Sequence, residues 1–283
     1  SCQIFSGNDA TSGAITTSAE AIKYAADNGA AIIQCSFGSK AGAYTSDNAY
    51  ERGSGVQFNA IKYFIESQNC DAVDGGVVIF AAGNDATAMS GYPGAYHDYI
   101  SVTSFSPDYL PAYYTNYGPG CNISAPGGDY KISADAAKTY AEVLSTVPSE
   151  LSEYNGADYG FMQGTSMACP HVSGVAALGL SYALEKGKKF TLDEFKTMLL
   201  TSVNEIDSLG ERYGDLSRRF ENRPCAGRLP QEDGYRVDRR IPAADAGRRD
   251  TLPAGQGRHQ ATRGPDQIFR RFGFEPDLPA GRD

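Results

Sequence analysis

The sequence contains no tryptophan, only three histidines and only six cysteines among its 283 residues. The cysteines lie at positions 2, 35, 70, 121, 169 and 225, so none of them forms the Cys-x-x-Cys pairs of common zinc sites. Six cysteines in a chain of this length are also too few for a disulfide scaffold. No uninterrupted apolar run approaches the roughly 18 residues that a membrane-spanning helix needs, so the sequence predicts no membrane span.

Positive charge is scarce over most of the chain. The formal net charge of −9 argues against binding to nucleic acid or to an anionic membrane surface. Residues 1–210 contain a single arginine, Arg52, and carry a net charge of −12, whereas residues 211–283 contain fifteen arginines, no lysine and a net charge of +3. This change, with few large apolar residues and many Pro and Gly after it, predicts a domain boundary at residue 210.

Three interpretations of residues 211–283 remain open: a disordered or linker segment, a basic interaction arm, and sequence translated out of frame. The arginines alternate with acids instead of clustering, which disfavours the basic arm. The complete exchange of lysine for arginine, with abundant proline, glycine and alanine, is typical of GC-rich DNA translated in a shifted frame. We therefore expect this tail to be disordered or out of frame.

Helix and strand patterns alternate before residue 210 and predict an α/β fold. Helices are expected at 18–27, 55–69, 166–185 and 192–202, and strands at 30–36, 77–83, 99–103 and 122–124. The strand segments AAIIQCS and VVIFAAG are apolar throughout, as in strands buried on both faces. The pattern predicts a three-layer arrangement, a parallel sheet with helices on both faces. Sites in such sheets lie beyond the carboxyl ends of the strands, so the turns after these two segments are candidates.

Two local expectations concern the surface. Residues 129–160 lack a clear period and are predicted to form a long surface loop, with Asp129 and Asp135 as solvated carboxylates. The helix at 55–69 is predicted to turn one apolar side to the core, which comprises Val56, Ala60, Tyr63 and Phe64.

Residues 164–174 read GTSMACPHVSG and place Ser166 where a loop enters a helix. The first N–H groups of a helix lack intrahelical partners, and the helix dipole favours negative charge beside them. A serine there is suited to a nucleophile with an oxyanion site next to it. An ordinary capping serine or threonine explains the same residues, and the local pattern leaves both interpretations open.

The segment GTSMACPHVSG resembles the nucleophile motif of the subtilases, the subtilisin-like serine peptidases. Four other segments are similar to family segments in the family's order: AADNGAAIIQCSFG (25–38), VVIFAAGND (77–85), GYPGAYHDYISV (91–102) and TNYGPGCNISAPG (115–127). The resemblance covers about residues 1–209 and implies the subtilisin-like α/β fold. It also implies serine endopeptidase activity through an acyl-enzyme, a polypeptide substrate, a monomeric state and a secreted or cell-surface location.

The resemblance implies roles for single residues. Ser166 corresponds to the nucleophile, and Asn84 corresponds to the residue whose side-chain amide, with the backbone N–H of Ser166, binds the oxyanion. The resemblance also implies a substrate-binding cleft. Ser36, Phe37 and Gly38 correspond to one wall, Ala81, Ala82 and Gly83 to the other, and Gly91 to the floor. The small residues among them predict room for a large apolar or aromatic substrate side chain.

The chain departs from the family pattern in one respect. The catalytic Asp and His belong to motifs upstream of the segment that residues 1–38 resemble, so we expect a fragment whose fold is incomplete at its N-terminus and whose partner is the missing part of the domain. None of the three histidines is expected to replace the catalytic one. His171 is predicted on the same helix as Ser166 but on a different side, His97 in a surface turn, and His259 in the arginine-rich tail. Without a base the serine is a poor nucleophile, so the chain by itself is predicted to be inactive.

No cofactor and no metal site are predicted, because the calcium sites that the resemblance implies draw mainly on the absent portion. The alternative function is a non-catalytic module that retains a peptide-binding cleft. Two other enzyme classes are disfavoured: the GTSMA sequence lacks the second glycine of the GxSxG motif of α/β-hydrolases, and no GxGxxG motif follows a predicted strand.

Overall fold

The computed structural model of the chain describes residues 17–107, 109–132, 141–148 and 156–203, together with residue 4. In this part the helices are α1 (Ser18–Asp27), α2 (Asp47–Gly53), α3 (Gly55–Ser67), α4 (Thr165–Glu185) and α5 (Leu192–Thr201). The strands are β1 (Ile32–Cys35), β2 (Val73–Asp74), β3 (Val77–Ala81), β4 (Ile100–Phe105), β5 (Ile123–Pro126), β6 (Val143–Thr146), β7 (Tyr159–Met162) and β8 (Phe190–Thr191). The predictions for residues 211–283, Asp135 and His259 lie outside the described residues.

A four-stranded parallel sheet in the order β1-β3-β4-β5 forms the centre of the fold. Every residue of β3 is buried, as its uninterrupted apolar sequence predicts. Val78 and Phe80 of β3 join a core cluster with residues of α1 and α3 such as Ile22 and Phe64. The α4 helix packs against all four strands, and the alternation of side chains along β3 directs Val77 and Ile79 towards it. The predicted parallel sheet with helices on its two faces is confirmed.

The α4 helix has one buried face and one exposed face. The buried residues recur every three or four positions and are Thr165, Ala168, Cys169, Val172, Ala176, Leu180 and Ala183. Three large apolar residues lie on the exposed side: Val175, Leu178 and Leu184. By length and composition alone, α4 is the one helix of the described residues that could cross a membrane. Because core helices of globular proteins pass the same test, its packing on the sheet accounts for that composition.

The structure corrects the prediction for residues 129–160. Val143–Thr146 pairs antiparallel with Tyr159–Met162 in a β6–β7 hairpin, so this stretch is not a continuous loop. Asp129 is buried, with 1% of its surface exposed. Its carboxylate accepts hydrogen bonds from the backbone N–H groups of Tyr113 (3.0 Å) and Lys131 (2.9 Å), which take the place of water. The prediction that Asp129 is solvated is therefore wrong.

The side of α3 that faces the core also differs from the prediction. Ile61 and Phe64 are fully buried, whereas Val56 and Tyr63 are 77% and 44% exposed. The α2 helix is an element that the sequence analysis did not predict. It begins after Ser46, whose side chain accepts a hydrogen bond from Ala49 N, and it buries Tyr50.

Candidate active site

The candidate site lies where the carboxyl ends of β1 and β3 meet the first turn of α4. Ser36 directly follows β1, and Ser166 is the second residue of α4. The two serines form reciprocal hydrogen bonds: Ser36 Oγ donates to the Ser166 carbonyl (2.8 Å), and Ser166 Oγ donates to the Ser36 carbonyl (3.2 Å). These two bonds place the turn after β1, one of the two turns that the sequence gives as candidates, against the first turn of α4.

Asn84 follows β3 and is tied to the same helix through one end of its side-chain amide. Its Oδ1 accepts hydrogen bonds from both the backbone N and the Oγ1 of Thr165, each at 2.9 Å. Thr165 is buried, and its Oγ1 in turn accepts a hydrogen bond from Gly83 N (3.2 Å). The Nδ2 group of Asn84 donates to no other described residue, and Asn84 itself is exposed. One end of the amide is therefore fixed and the donor end is available.

A second free donor lies beside the first. The backbone N of Ser166 donates to no acceptor among the described residues, as expected in the first turn of a helix. A Cβ atom placed on Gly164 would lie 3.6 Å from Asn84 Nδ2 and 3.6 Å from Ser166 N. Both donors thus border one small space, which the absence of a side chain at position 164 leaves open. The Met167 Sδ atom borders the same space at 3.6 Å. Two N–H donors directed at one space at a helix N-terminus are suited to an oxyanion.

The three predicted segments of the substrate cleft are joined by backbone hydrogen bonds. Ser39 N donates to the Tyr92 carbonyl (2.6 Å), and Gly91 N donates to the Ala82 carbonyl (2.8 Å). A Cβ on Gly91 would collide with the carbonyl of Ser39, so glycine is required there by the close approach of two backbones. The structure therefore brings segments 36–39, 81–84 and 91–92 together beside Ser166.

The cleft residues differ in what they expose. Ser36 and Gly38 are exposed, whereas Ala81, Ala82 and Gly91 are buried. The Phe37 ring packs edge-on against the Phe80 ring of β3 at a centroid distance of 5.7 Å. Phe37 is therefore anchored to the core, so its backbone is the part that it can offer to a ligand.

Neither of the two described histidines, His171 and His97, forms a hydrogen bond with the Ser166 hydroxyl. The Nδ1 atom of His171 is 2.8 Å from the Met167 carbonyl, one turn back on the same helix. His97 is 64% exposed and lies between the carboxylates of Asp47 (2.7 Å) and Asp98 (3.4 Å). The acceptor that Ser166 Oγ does have, the Ser36 carbonyl, is an amide oxygen and therefore too weak a base to activate a serine.

Two of the described cysteines are poor nucleophiles at neutral pH. Burial raises the pKa of the Cys169 thiol to about 11 and that of the Cys121 thiol to about 12, so both are protonated and poorly nucleophilic. In the described residues no group of three or more His, Cys, Asp or Glu side chains is arranged to hold a metal ion. The lack of a cofactor stays a prediction.

Comparison with known proteins identifies the family. The model of the subtilase family matches residues 2–245, which is most of the chain. The chain belongs to the subtilase family. The five segments quoted from the sequence all lie within the match, and so do all the residues of the candidate site.

Two relatives illustrate the similarity to other subtilases. The extracellular basic protease of Dichelobacter nodosus is 29% identical over 212 residues, which are 68% of this chain and 32% of that protein. Thermitase of Thermoactinomyces vulgaris is 32% identical over 167 residues, which are 59% of this chain and 46% of that protein. The chain thus spans between about a third and a half of the length of these relatives.

Solved structures agree with the family assignment. The prenylagaramide maturation protease PagA superimposes with a TM-score of 0.51 at 25% identity, covering 71% of this chain and 61% of that one. A protease from Pseudoalteromonas arctica PAMC 21717 gives a TM-score of 0.50 at 29% identity, covering 67% and 52% of the two chains. The fold is therefore subtilisin-like, and the family supports serine endopeptidase activity in general terms.

Sequence reasoning missed two residues of this subtilase site. Thr165 stands next to the serine in the GTSMA segment, and its contacts with Asn84 show why the motif includes a hydroxyl there. Asn116 lies in the segment TNYGPG and is fully buried against the loop that carries Asn84. The position of each within a motif was the available signal, but their partners lie far away in sequence.

Proposed function

We propose that this chain is the part of a subtilisin-like serine endopeptidase that carries the nucleophile Ser166 and the oxyanion amide of Asn84. The observation that supports it most directly is the pair of free donors, Asn84 Nδ2 and Ser166 N, around the open space at Gly164. An N-capping serine needs no such second donor. The subtilase match is the independent support for the same roles.

The proposed reaction follows from these groups. Ser166 Oγ attacks the carbonyl carbon of a peptide bond while a base takes its proton, and the carbonyl oxygen becomes an oxyanion between the two N–H donors. The C–N bond then breaks, the leaving amine takes up the proton, and an ester to Ser166 remains. Water then attacks the ester carbonyl while the base takes a proton from the water. The bond between the carbonyl carbon and Ser166 Oγ breaks, Oγ takes up the proton, and the carboxylic acid is released.

The base is proposed to come from a segment outside this chain that also carries the catalytic Asp. Two observations support such a segment. The described sheet has two edge strands, β5 and β1, and the outer side of β1 pairs with no strand of the described residues. Next to it, α4 exposes Leu178 and Leu184, and an apolar hollow of about 340 Å³ opens between Ala31, Leu180 and Leu184. Unpaired strand edges and apolar patches of this kind are usually covered in a finished fold.

We further propose an extended polypeptide as substrate, with a large apolar or aromatic side chain beside segments 36–38, 81–83 and Gly91. The exposed, small residues Ser36 and Gly38 support access for such a side chain, whereas Ala81, Ala82 and Gly91 are buried and shape the cleft through their backbone. A secreted location is proposed because relatives from Dichelobacter nodosus and Xanthomonas campestris are named extracellular proteases.

The proposal is tested by labelling with a fluorophosphonate, which reacts with activated serines. The isolated chain should react no more than its Ser166→Ala variant, because its serine lacks a base. A longer protein that joins the upstream coding segment to this chain should react at Ser166 and cleave peptides, and Ser166→Ala should abolish both.

Two results would contradict the proposal. Labelling of the isolated chain above the Ser166→Ala background would show that it needs no further segment. A longer protein that contains the Asp and His motifs, folds and still fails to react would exclude the endopeptidase and favour the peptide-binding module.

A further inference from the structure

Asn116 is a fully buried side chain that takes no part in the proposed reaction. It lies between β4 and β5, and its side-chain amide bonds only to backbone atoms of the connection that follows β3. Nδ2 donates to the Ala82 carbonyl (2.9 Å), and Oδ1 accepts from Asp85 N (2.9 Å) and Thr87 N (3.3 Å). These three partners lie on both sides of Asn84.

The backbone of Asn116 adds a fourth hydrogen bond to these three, and the four together are called the Asn116 clamp. Asn116 N donates to the Gly83 carbonyl at 3.0 Å, so residues 82, 83, 85 and 87 are all held by one residue. Gly83 has a φ of +106°, and a Cβ there would collide with Asn116 Nδ2. Glycine at position 83 is thus required both by its backbone angle and by the approach of the Asn116 amide.

We infer that Asn116 is a positioning residue for the oxyanion amide of Asn84. Thr165 holds the Oδ1 end of the Asn84 side chain, and Asn116 holds the backbone from which that side chain projects. Without the Asn116 side chain, the N–H groups of Asp85 and Thr87 would lose this acceptor, and the Ala82 carbonyl would keep only its other hydrogen bonds, such as the one from Gly91 N. The kinetic consequence rests on the proposed function, whereas the clamp itself does not.

The clamp is tested in the chain itself by amide hydrogen exchange. Asn116→Ala should lower the protection of the Asp85 and Thr87 amides by about tenfold, because each loses one part-buried hydrogen bond. The matched control is Asn122→Ala, since Asn122 Oδ1 accepts from Ser101 N at 2.7 Å and contacts a different segment. That control should deprotect Ser101 and leave Asp85 and Thr87 unchanged. Unaltered protection of Asp85 and Thr87 in Asn116→Ala would overturn the inference.

The positioning role is tested by kinetics in the longer, active protein. Asn116→Ala should lower kcat about 10- to 100-fold with KM changed by less than about threefold, because a displaced donor acts on the transition state. In an Asn84→Ala background the same change should add no further loss, since the donor that it positions is absent. Losses that add up across the cycle would show a general structural role and overturn the inference.

A conservative variant provides a second kinetic test of the positioning role. Asn116→Asp keeps oxygen acceptors for the Asp85 and Thr87 amides but cannot donate to the Ala82 carbonyl, so its kcat should lie between those of the parent and Asn116→Ala. Equal kcat values for the Asp and Ala variants would contradict this. If the longer protein is inactive, the exchange result alone decides on the clamp, so the failure of the proposed function is distinguishable from the failure of this inference.

Discussion

At the scale of single residues, the candidate site works through atoms that are held and atoms that are left free. The Oδ1 atom of Asn84 is occupied by Thr165, so the amide can present only its Nδ2 donor. Ser166 N is free because it lies in the first turn of α4. Donors fixed in advance need no rearrangement when charge develops on a substrate oxygen, which is how such sites lower the barrier.

Gly164 offers a direct test of this space. Gly164→Ala should place a methyl group 3.6 Å from both donors, where the oxyanion would otherwise lie. In the longer, active protein we expect kcat to fall by about 10²- to 10³-fold, the cost measured for one oxyanion-hole donor in subtilisin itself, with the parent kcat as the comparison.

The control for Gly164→Ala separates blockage from backbone strain. Gly164 has a φ of +148°, so alanine also strains the backbone there. Gly29→Ala introduces a milder strain at another positive φ, +74°, where an added Cβ contacts nothing within 4 Å. It should lower thermal stability and leave kcat unchanged. A normal kcat in Gly164→Ala would show that the space between the donors is not used.

At the scale of elements, the sequence pattern predicted long elements better than short ones. The bounds of α1 agree with the prediction, and α4 and α5 agree to within about one residue, because many residues of one period define them. The β6–β7 hairpin was missed because its strands, VLST and YGFM, are not part of an uninterrupted apolar run like those that mark β1 and β3. Val56 and Tyr63 of α3 were misplaced because an apolar stripe does not say which of its edges meets the core.

The capping box of α5 predicts a dependence of stability on pH. Glu194 Oε2 accepts hydrogen bonds from Thr191 N (2.9 Å) and Thr191 Oγ1 (3.0 Å), and these bonds lower the pKa of Glu194 below its ordinary value of 4.5. Because the folded pKa is the lower one, this contribution to stability is present above pH 4.5 and is lost as the pH falls through the folded pKa. Glu194→Gln should therefore be less stable than the parent at pH 7, and the difference should shrink in acid.

Urea unfolding of the chain at several pH values measures this difference. Glu20→Gln is the matched control, because Glu20 also lies in the first turn of a helix, α1, which has no side-chain cap hydrogen bond. It should show a smaller change in stability at pH 7. Thr191→Ala, which removes the cap, should cost about 1 kcal/mol at pH 7. A Glu194→Gln effect that is equal at pH 7 and in acid would contradict the assignment.

At the scale of the whole molecule, the described fold leaves apolar surface of α4 exposed. The β1 strand is an edge, and α4 beside it turns Val175, Leu178 and Leu184 outwards. The β5 strand is the other edge of the described sheet, and shortly after it the buried carboxylate of Asp129 accepts hydrogen bonds from Tyr113 N and Lys131 N. A further part of the domain at the β1 side, as proposed, would bury the apolar surface of α4.

Leu178→Gln tests this surface. Leu178 is 72% exposed, so in the chain alone the change should lower the binding of a hydrophobic dye and reduce light scattering. In the longer protein the same change should destabilise, because the side chain would be buried there. Val56→Gln on α3 is the control, being 77% exposed on another face. Equal effects of the two variants in both proteins would exclude a covered face on α4.

The sequence by itself determined the types of the long elements and the family, and it predicts the nucleophile, because these depend on contiguous residues such as GTSMACPHVSG and VVIFAAGND. Only the tertiary structure decided how the site is held together. The contacts that hold it join residues far apart in the chain: 130 positions separate Ser36 from Ser166, 81 separate Asn84 from Thr165, and 31 separate Asp85 from Asn116. A local pattern carries no information on such pairs, because hydrogen-bond partners are chosen by distance in space.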